Sequence, residues 1–290
     1  MKQAFVFPGQ GSQTVGMGKD LAEKYLDQAN EILGFDLKKL CFEGPQEELK
    51  KTEITQPAIL TVSVAAYELL KSRNVAAPSV VAGHSLGEYS ALVAASALTF
   101  QDAVKTVHLR GKFMQEAVPL GEGAMSAIIG LENNKVKEIC EKTGNVWPAN
   151  FNSPGQVVIS GKKESVKTAG EELKTAGAKR VIPLAVSAPF HCPLMQPAAD
   201  RLKIELDKVE IKDANIPVLA NVTADYVLNG QEIRDLLIKQ VTSPVLWEES
   251  VKKMINASSK FFVEVGPGKV LAGLIKKIDK SVEVKSYLEA

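Results

Sequence analysis

Cysteine and histidine are scarce in this chain, with three of each in 290 residues. Cys41, Cys140 and Cys192 are odd in number and far apart, and no Cys-x-x-Cys pair occurs. That excludes a disulfide framework and leaves no zinc or redox signature, so neither a metal nor a bound cofactor is expected. Net charge is nearly absent as well: 35 basic side chains against 34 acidic ones leave +1. No overall field gathers nucleic acid or an anionic membrane, and neither is expected as a partner. Long apolar runs are missing too. The most apolar stretch, 57–70, is broken by Thr61, Ser63, Tyr67 and Glu68 and closed by Lys71, which rules it out as a membrane span. The first apolar run stops at Pro8-Gly9, too early for a signal peptide, and cytoplasm is the expected location.

What is present suffices for a full core, since 45% of the residues are hydrophobic. One large domain, or one with a smaller insert, fits this length.

The most informative stretch is 79–95, SVVAGHSLGEYSALVAA. Val80, Val81 and Ala82 read as a short buried strand, and from Leu86 the apolar spacing becomes helical. Gly83 and Gly87 flank Ser85. A strand that turns straight into a helix through Gly-x-Ser-x-Gly forces its serine outward at the helix N-terminus, and a Cβ at either glycine would strike the facing backbone. Ser85 is therefore a candidate nucleophile. Ser85 and Glu88 also match a capping box, so a plain helix cap is the competing reading.

Along the chain, Gln3 to Phe7 reads as a strand and 8–13 as a turn before a helix over 17–33. The turn is no nucleotide loop, because Thr14 and Met17 stand where a dinucleotide or phosphate fingerprint needs Gly and Lys. Short surface helices are expected before Thr55, then an apolar helix over 58–72. Thr99 and Asp102 cap a helix over 100–117. On it, Ala103, Val107, Arg110, Met114 and Ala117 form an apolar stripe. Arg110 there calls for an anionic ligand, for an internal carboxylate such as Glu88, or for a tip that reaches solvent.

Gly121-Glu122-Gly123 marks a hinge. Beyond it come strand 124–131, helix 133–143, strands within 146–159, helix 163–176 and strand 180–186, the ferredoxin-like order. His191 follows in a Pro-punctuated loop, 187–195, at the domain junction. His84 lies inside the elbow and His108 on the polar side of a helix, so His191 is the candidate base for Ser85. Helices at 197–208, 231–240, 251–256 and 269–277 and strands at 218–222, 261–265 and 285–288 complete the chain.

Several stretches taken together resemble the malonyl-CoA:acyl carrier protein transacylases and, more widely, the acyltransferase domains of polyketide synthases. They are Phe7 to Gln13, Gly83 to Tyr89, Arg110-Gly111, Asn150 to Gln156, Phe190-His191, Gln240 and Glu264 to Gly268. They run in the family's order over essentially the whole chain. The resemblance implies an α/β fold: a hydrolase-like core with a short parallel sheet, residues 1–122 and 192–290, interrupted by a ferredoxin-like α+β subdomain, 123–191.

It also implies ping-pong transfer of malonyl from malonyl-CoA through a Ser85 ester to phosphopantetheinylated acyl carrier protein, for fatty acid synthesis; a monomer is expected, though nothing in the sequence itself sets the oligomeric state. In that scheme His191 is the base and the Gln240 carbonyl takes the third triad role, with Asp225 as its rival. Backbone N–H groups of Gln10 and Leu86 hold the oxyanion, Arg110 grips the malonyl carboxylate, and Asn152 and Phe190 line the substrate cleft. Two alternatives share the elbow: a free-standing acyltransferase serving a polyketide line, and a serine thioesterase or hydrolase.

Overall fold

Ala4 to Phe7 and Val80 to Gly83 are buried at every position, and a strand apolar at consecutive residues belongs in the middle of a sheet covered on both faces. In the computed structural model, which describes residues 2–186 and 188–290, they hold that place. Met1 and Ser187, the latter part of the junction loop read from the sequence, lie outside the described residues.

The chain runs β1 (Lys2–Phe7), α1 (Glu23–Leu33), α2 (Leu37–Glu43), α3 (Gln46–Leu49), α4 (Thr52–Ser72), β2 (Val80–Gly83), α5 (Gly87–Ala94) and α6 (Phe100–Glu116). Then come β3 (Gly123–Ile129), α7 (Asn133–Thr143), β4 (Val146–Ser153), β5 (Gln156–Lys162), α8 (Lys163–Thr175) and β6 (Arg180–Pro183). The remainder is α9 (Gln196–Leu206), β7 (Val218–Leu219), β8 (Tyr226–Val227), α10 (Gly230–Gln240), α11 (Trp247–Asn256), β9 (Ser259–Glu264), α12 (Val270–Ile278) and β10 (Glu283–Ser286).

Two sheets result. The six-stranded one has the order β10-β9-β1-β2-β7-β8, parallel throughout except for the β7–β8 edge. Side chains alternate across it with period two. Phe5, Phe7 and Val81 face a core built with α4, α5 and α6, while Ala4, Val6, Val80 and Ala82 face Trp247, Val251 and Leu271 of α11 and α12. The second sheet, β4-β5-β3-β6, is antiparallel, with α7 and α8 on one face. Its strand-helix-strand-strand-helix-strand order is the one read from the sequence. Backbone pairing of Phe151 N–H with the Val245 carbonyl, at 2.9 Å, ties β4 to the segment before α11. No helix among the described residues is long and apolar enough to cross a membrane.

Several boundaries differ from the sequence reading: β6 ends at Pro183 rather than 186, α11 starts at Trp247 rather than 251, and β10 spans Glu283–Ser286 rather than 285–288, besides those of α1, β7 and α4. Helix α1 starts at Glu23 rather than near 17, because Gly16 and Gly18 take left-handed φ of 93° and 78° and hold the chain in turns. Strand β7 ends at Leu219 instead of 222, because the chain turns back there into β8. Helix α4 starts at Thr52, with Pro57 inside it. Proline has no N–H to give the Glu53 carbonyl one turn back; His108 Nδ1 on α6 donates to that carbonyl instead, at 2.9 Å. His108 is thus half-buried and structural rather than free on a polar face.

Replacing His108 with Ala should cost about 1–2 kcal/mol in chemical denaturation, the price of an unsatisfied carbonyl. In a Pro57→Ala background the restored N–H takes over, so the same substitution should cost measurably less. Equal costs in both backgrounds would contradict this account.

Candidate active site

Strand β2 delivers the chain to the elbow and α5 carries it away. Ser85 sits between them at φ 53°, a left-handed geometry that costs a non-glycine residue energy and recurs at nucleophile elbows. The flanking glycines make it sterically feasible: a Cβ on Gly83 would overlap the Gly87 backbone, and one on Gly87 the Phe7 carbonyl. Asn221 pins the bend from the far side. Its Oδ1 accepts from Ser85 N–H at 2.7 Å, and its Nδ2 donates to the Gly83 carbonyl at 2.6 Å. The capping-box reading is overturned, since α5 has no side-chain cap. The Glu88 carboxylate is engaged instead by Asn221 N–H at 3.0 Å and Gln240 Nε2 at 2.8 Å.

The freed Ser85 hydroxyl lies 2.8 Å from His191 Nε2. His191 Nδ1 lies 2.9 Å from the backbone carbonyl of Gln240, the last residue of α10. A carbonyl only accepts, so Nδ1 carries the proton and Nε2 presents its lone pair to the serine. Burial, and secondarily the positive charge of Arg110, push the His191 pKa down to about 3. The imidazole is therefore a neutral acceptor at physiological pH.

Arg110 is 1% exposed. Its Nη1 donates to Gln56 Oε1 at 2.7 Å, and its Nη2 to Gln240 Oε1 at 2.9 Å and to Ser85 Oγ at 3.1 Å. All three contacts are neutral. Its Nε has no partner among the described residues, and burial holds its pKa below the usual arginine value. Of the sequence alternatives, solvent escape is excluded and direct pairing with Glu88 is absent.

These groups border a cavity of about 120 Å³, lined also by Gln10, Leu86, Met114, Met125, Leu184 and Phe190. The backbone N–H groups of Gln10 and Leu86 find no acceptor among the described residues. Asn152 does not line the cavity: it holds His84 Nε2 at 2.8 Å, and Asn150 contributes to the wall instead. Asp225 is on the surface, bonded to Lys253 Nζ at 2.6 Å, and so is removed as a rival third group. Gln56 and Asn221 were not singled out from the sequence. Gln56 carried a usable signal, a polar residue in the apolar run of α4. Asn221 carried none, since the elbow groups it holds, Gly83, Ser85 and Glu88, lie more than a hundred residues away.

A strained elbow serine bonded to a neutral imidazole, beside two unengaged amides, defines a serine acyl-transfer centre. The acyl transferase domain model matches residues 4–288. The chain belongs to that family. It is 53% identical to the malonyl CoA-acyl carrier protein transacylase of Escherichia coli K12, over 95% of this chain and 92% of that protein. Against the Bacillus subtilis protein of the same name identity is 52%, over 97% and 92%. Among solved structures, an acyl carrier protein S-malonyltransferase from Vibrio cholerae superposes with a TM-score of 0.96, at 47% identity over 99% of this chain and 96% of that one. A malonyl-transacylase in complex with a type II polyketide synthase acyl-carrier protein superposes at 0.95, with 46% identity over 99% and 95%.

The His191 environment makes a pH prediction. With the folded value near 3, below the unfolded 6.5, the neutral ring's contribution to stability is complete above about pH 6.5 and is lost as pH falls from there. In Glu88→Gln, where the neighbouring carboxyl, itself raised by burial to about 7, no longer titrates, the rate at which a fluorophosphonate labels Ser85 should accordingly show no inflection between about pH 5 and about pH 8. A fall centred near 6.5 would mean that His191 titrates as a solvated ring.

Proposed function

We propose that this chain is an acyl carrier protein S-malonyltransferase, moving malonyl from malonyl-CoA to the phosphopantetheine thiol of acyl carrier protein and so supplying extender units for fatty acid synthesis. The observation that carries the reading is the Ser85 hydroxyl, 2.8 Å from His191 Nε2 and 3.1 Å from the buried Arg110 guanidinium. Nucleophile, base and carboxylate receptor meet at one oxygen.

The steps follow from the geometry. His191 Nε2 removes the Ser85 proton as Oγ attacks the thioester carbon. The oxyanion is received by the N–H groups of Gln10 and Leu86, which cost little reorganisation because they bond to no acceptor among the described residues. The Gln240 carbonyl, already on Nδ1–H, steadies the imidazolium that forms. As the C–S bond breaks, that imidazolium protonates the leaving CoA sulfur. The carrier thiol then repeats the sequence against the malonyl-Ser85 ester, giving ping-pong transfer.

Arg110 supplies the selectivity. Its planar fork matches a carboxylate, whereas a thioesterase for neutral acyl chains has no use for a buried cation there. Phe190 and Met125 narrow the wall of a cavity of about 120 Å³, which disfavours a bulky α-substituent. We take 123–191 as a small unit closing over a larger one, 1–122 and 192–290, with Met125 and Leu184 facing Ser85 and Arg110 across the cleft. The protein is read as a cytoplasmic monomer that needs no cofactor, because each proton and charge in the scheme is handled by a side chain or amide already present.

Intact-protein mass spectrometry tests this. Malonyl-CoA should leave a malonyl adduct that maps to Ser85, is absent in Ser85→Ala, and is discharged on adding phosphopantetheinylated carrier. No adduct, or one lost to water at the same rate with or without carrier, would contradict the proposal.

A further inference from the structure

Arg110 is a buried cation whose contacts are all neutral, yet a buried carboxylate lies one amide away. The Gln240 side chain bridges the two: its Oε1 accepts from Arg110 Nη2 at 2.9 Å, and its Nε2 donates to Glu88 Oε2 at 2.8 Å and to the Ser85 carbonyl at 3.1 Å. The amide cannot be turned round, because arginine only donates and a backbone carbonyl only accepts. Glu88, Gln240 and Arg110 are each at most 2% exposed. The other buried carboxylates are committed elsewhere, Glu264 to the N–H groups of Leu271 and Ala272, and Glu248 to Lys252 and Asn133. Glu88 is therefore the counter-charge of Arg110, held at one remove.

That spacing has a use. A carboxylate in direct contact would fill the guanidinium fork and compete with substrate. Held off by an amide, Glu88 balances the charge while leaving donors for an incoming carboxylate. Two negative charges around one positive charge in a desolvated site are unfavourable, and the usual relief is to protonate one of them.

We propose, resting on the malonyl-transfer reading above, that Arg110 exchanges counter-ions during the reaction: ionised Glu88 balances it in the free enzyme, the malonyl carboxylate balances it in the acyl-enzyme, and Glu88 takes up a proton from solvent in between. Glu88 is thus a positioning residue that acts on substrate through Gln240 and Arg110. The local hydrogen bonding permits the exchange. Both bonds to Glu88, from Asn221 N–H and Gln240 Nε2, fall on Oε2, so Oε1 can be protonated without breaking either.

Burial already lifts the Glu88 pKa to about 7, against the lowering effects of Asn221, Gln240 and Arg110. The other titratable groups around this pair stay neutral. The Tyr89 hydroxyl is raised by burial, and His84 and His191 are lowered by it.

The proton count of the covalent step is separable. As the Oγ–C bond forms and the C–S bond breaks, the Ser85 proton passes through His191 to the CoA sulfur, with no net exchange with solvent apart from partial ionisation of the released thiol. That ionisation is identical for malonyl-CoA and acetyl-CoA. The difference between the two in a lightly buffered, dye-monitored single turnover therefore reports Glu88 alone.

The expected result is an uptake of about half a proton per malonyl-enzyme at pH 7, rising toward about one at pH 8, and none for acetyl. In Glu88→Gln, whose carbonyl can keep both hydrogen bonds, the malonyl-specific uptake should vanish. No difference between malonyl and acetyl in the wild type, or an unchanged difference in the variant, would overturn the proposal. The wild-type comparison stands even if the variant does not fold. Mass spectrometry on the same samples separates the two ideas: no malonyl-enzyme sinks the transfer reading, whereas malonyl-enzyme formed without proton uptake sinks only the exchange.

Discussion

The site is governed by one constraint, a guanidinium buried to 1% exposure and met, among the described residues, by neutral oxygens and the Tyr89 ring. Removing such a charge from water costs several kcal/mol, and a protein retains it only where the surroundings return that cost. Here Gln56, Gln240 and the Ser85 hydroxyl supply hydrogen bonds, Glu88 supplies a screened counter-charge, and donor capacity remains at Nε. The Ser85 hydroxyl belongs to the same arrangement. In the resting protein it shares Nη2 with Gln240, so the group that recognises the substrate carboxylate also touches the atom that is to be acylated.

Gln240 shows how closely recognition and chemistry are joined. Its carbonyl fixes the tautomer of His191; its side-chain oxygen orients Arg110; its side-chain nitrogen holds Glu88 and the Ser85 carbonyl. All of this falls on the final residue of α10, where the chain leaves the helix and both backbone and side chain can be directed into the core. Asn221 plays the matching part for the elbow, bonding the backbone on both sides of a residue forced to φ 53°. Strain of that kind persists only when neighbours over-determine it.

How much of this was legible in the sequence follows from the range of the interactions. The elbow, the Thr99–Asp102 cap and the strand-helix-strand-strand-helix-strand order of the second sheet are set by residues a few positions apart, and each was readable. Arg110 was conspicuous because a charge on an apolar stripe is anomalous wherever its partners are. His191 could be chosen only after Ser85 had created the need for a base, and the third position, a carbonyl rather than a carboxylate, came from family resemblance alone. What escaped depended on distant partners. Helix α4 runs through Pro57 because His108, on another helix, takes up the carbonyl that proline leaves free. The shortness of β7 and the role of Asn221 are one fact, since the chain leaves the sheet where that side chain must reach the elbow. Asn152 was placed in the cleft by analogy, and its bond to His84 could not be read from spacing.

The most direct test of the account is the selectivity of Arg110→Ala, measured as kcat/KM for malonyl-CoA and for acetyl-CoA under identical conditions. If the buried guanidinium exists to receive a carboxylate, malonyl transfer should fall by a factor on the order of a hundred to a few thousand, the equivalent of about 3–5 kcal/mol for a broken buried pair. Acetyl transfer should fall far less. A loss of the same size for both substrates would show that Arg110 serves the elbow and Ser85 rather than the substrate, and would contradict the central claim.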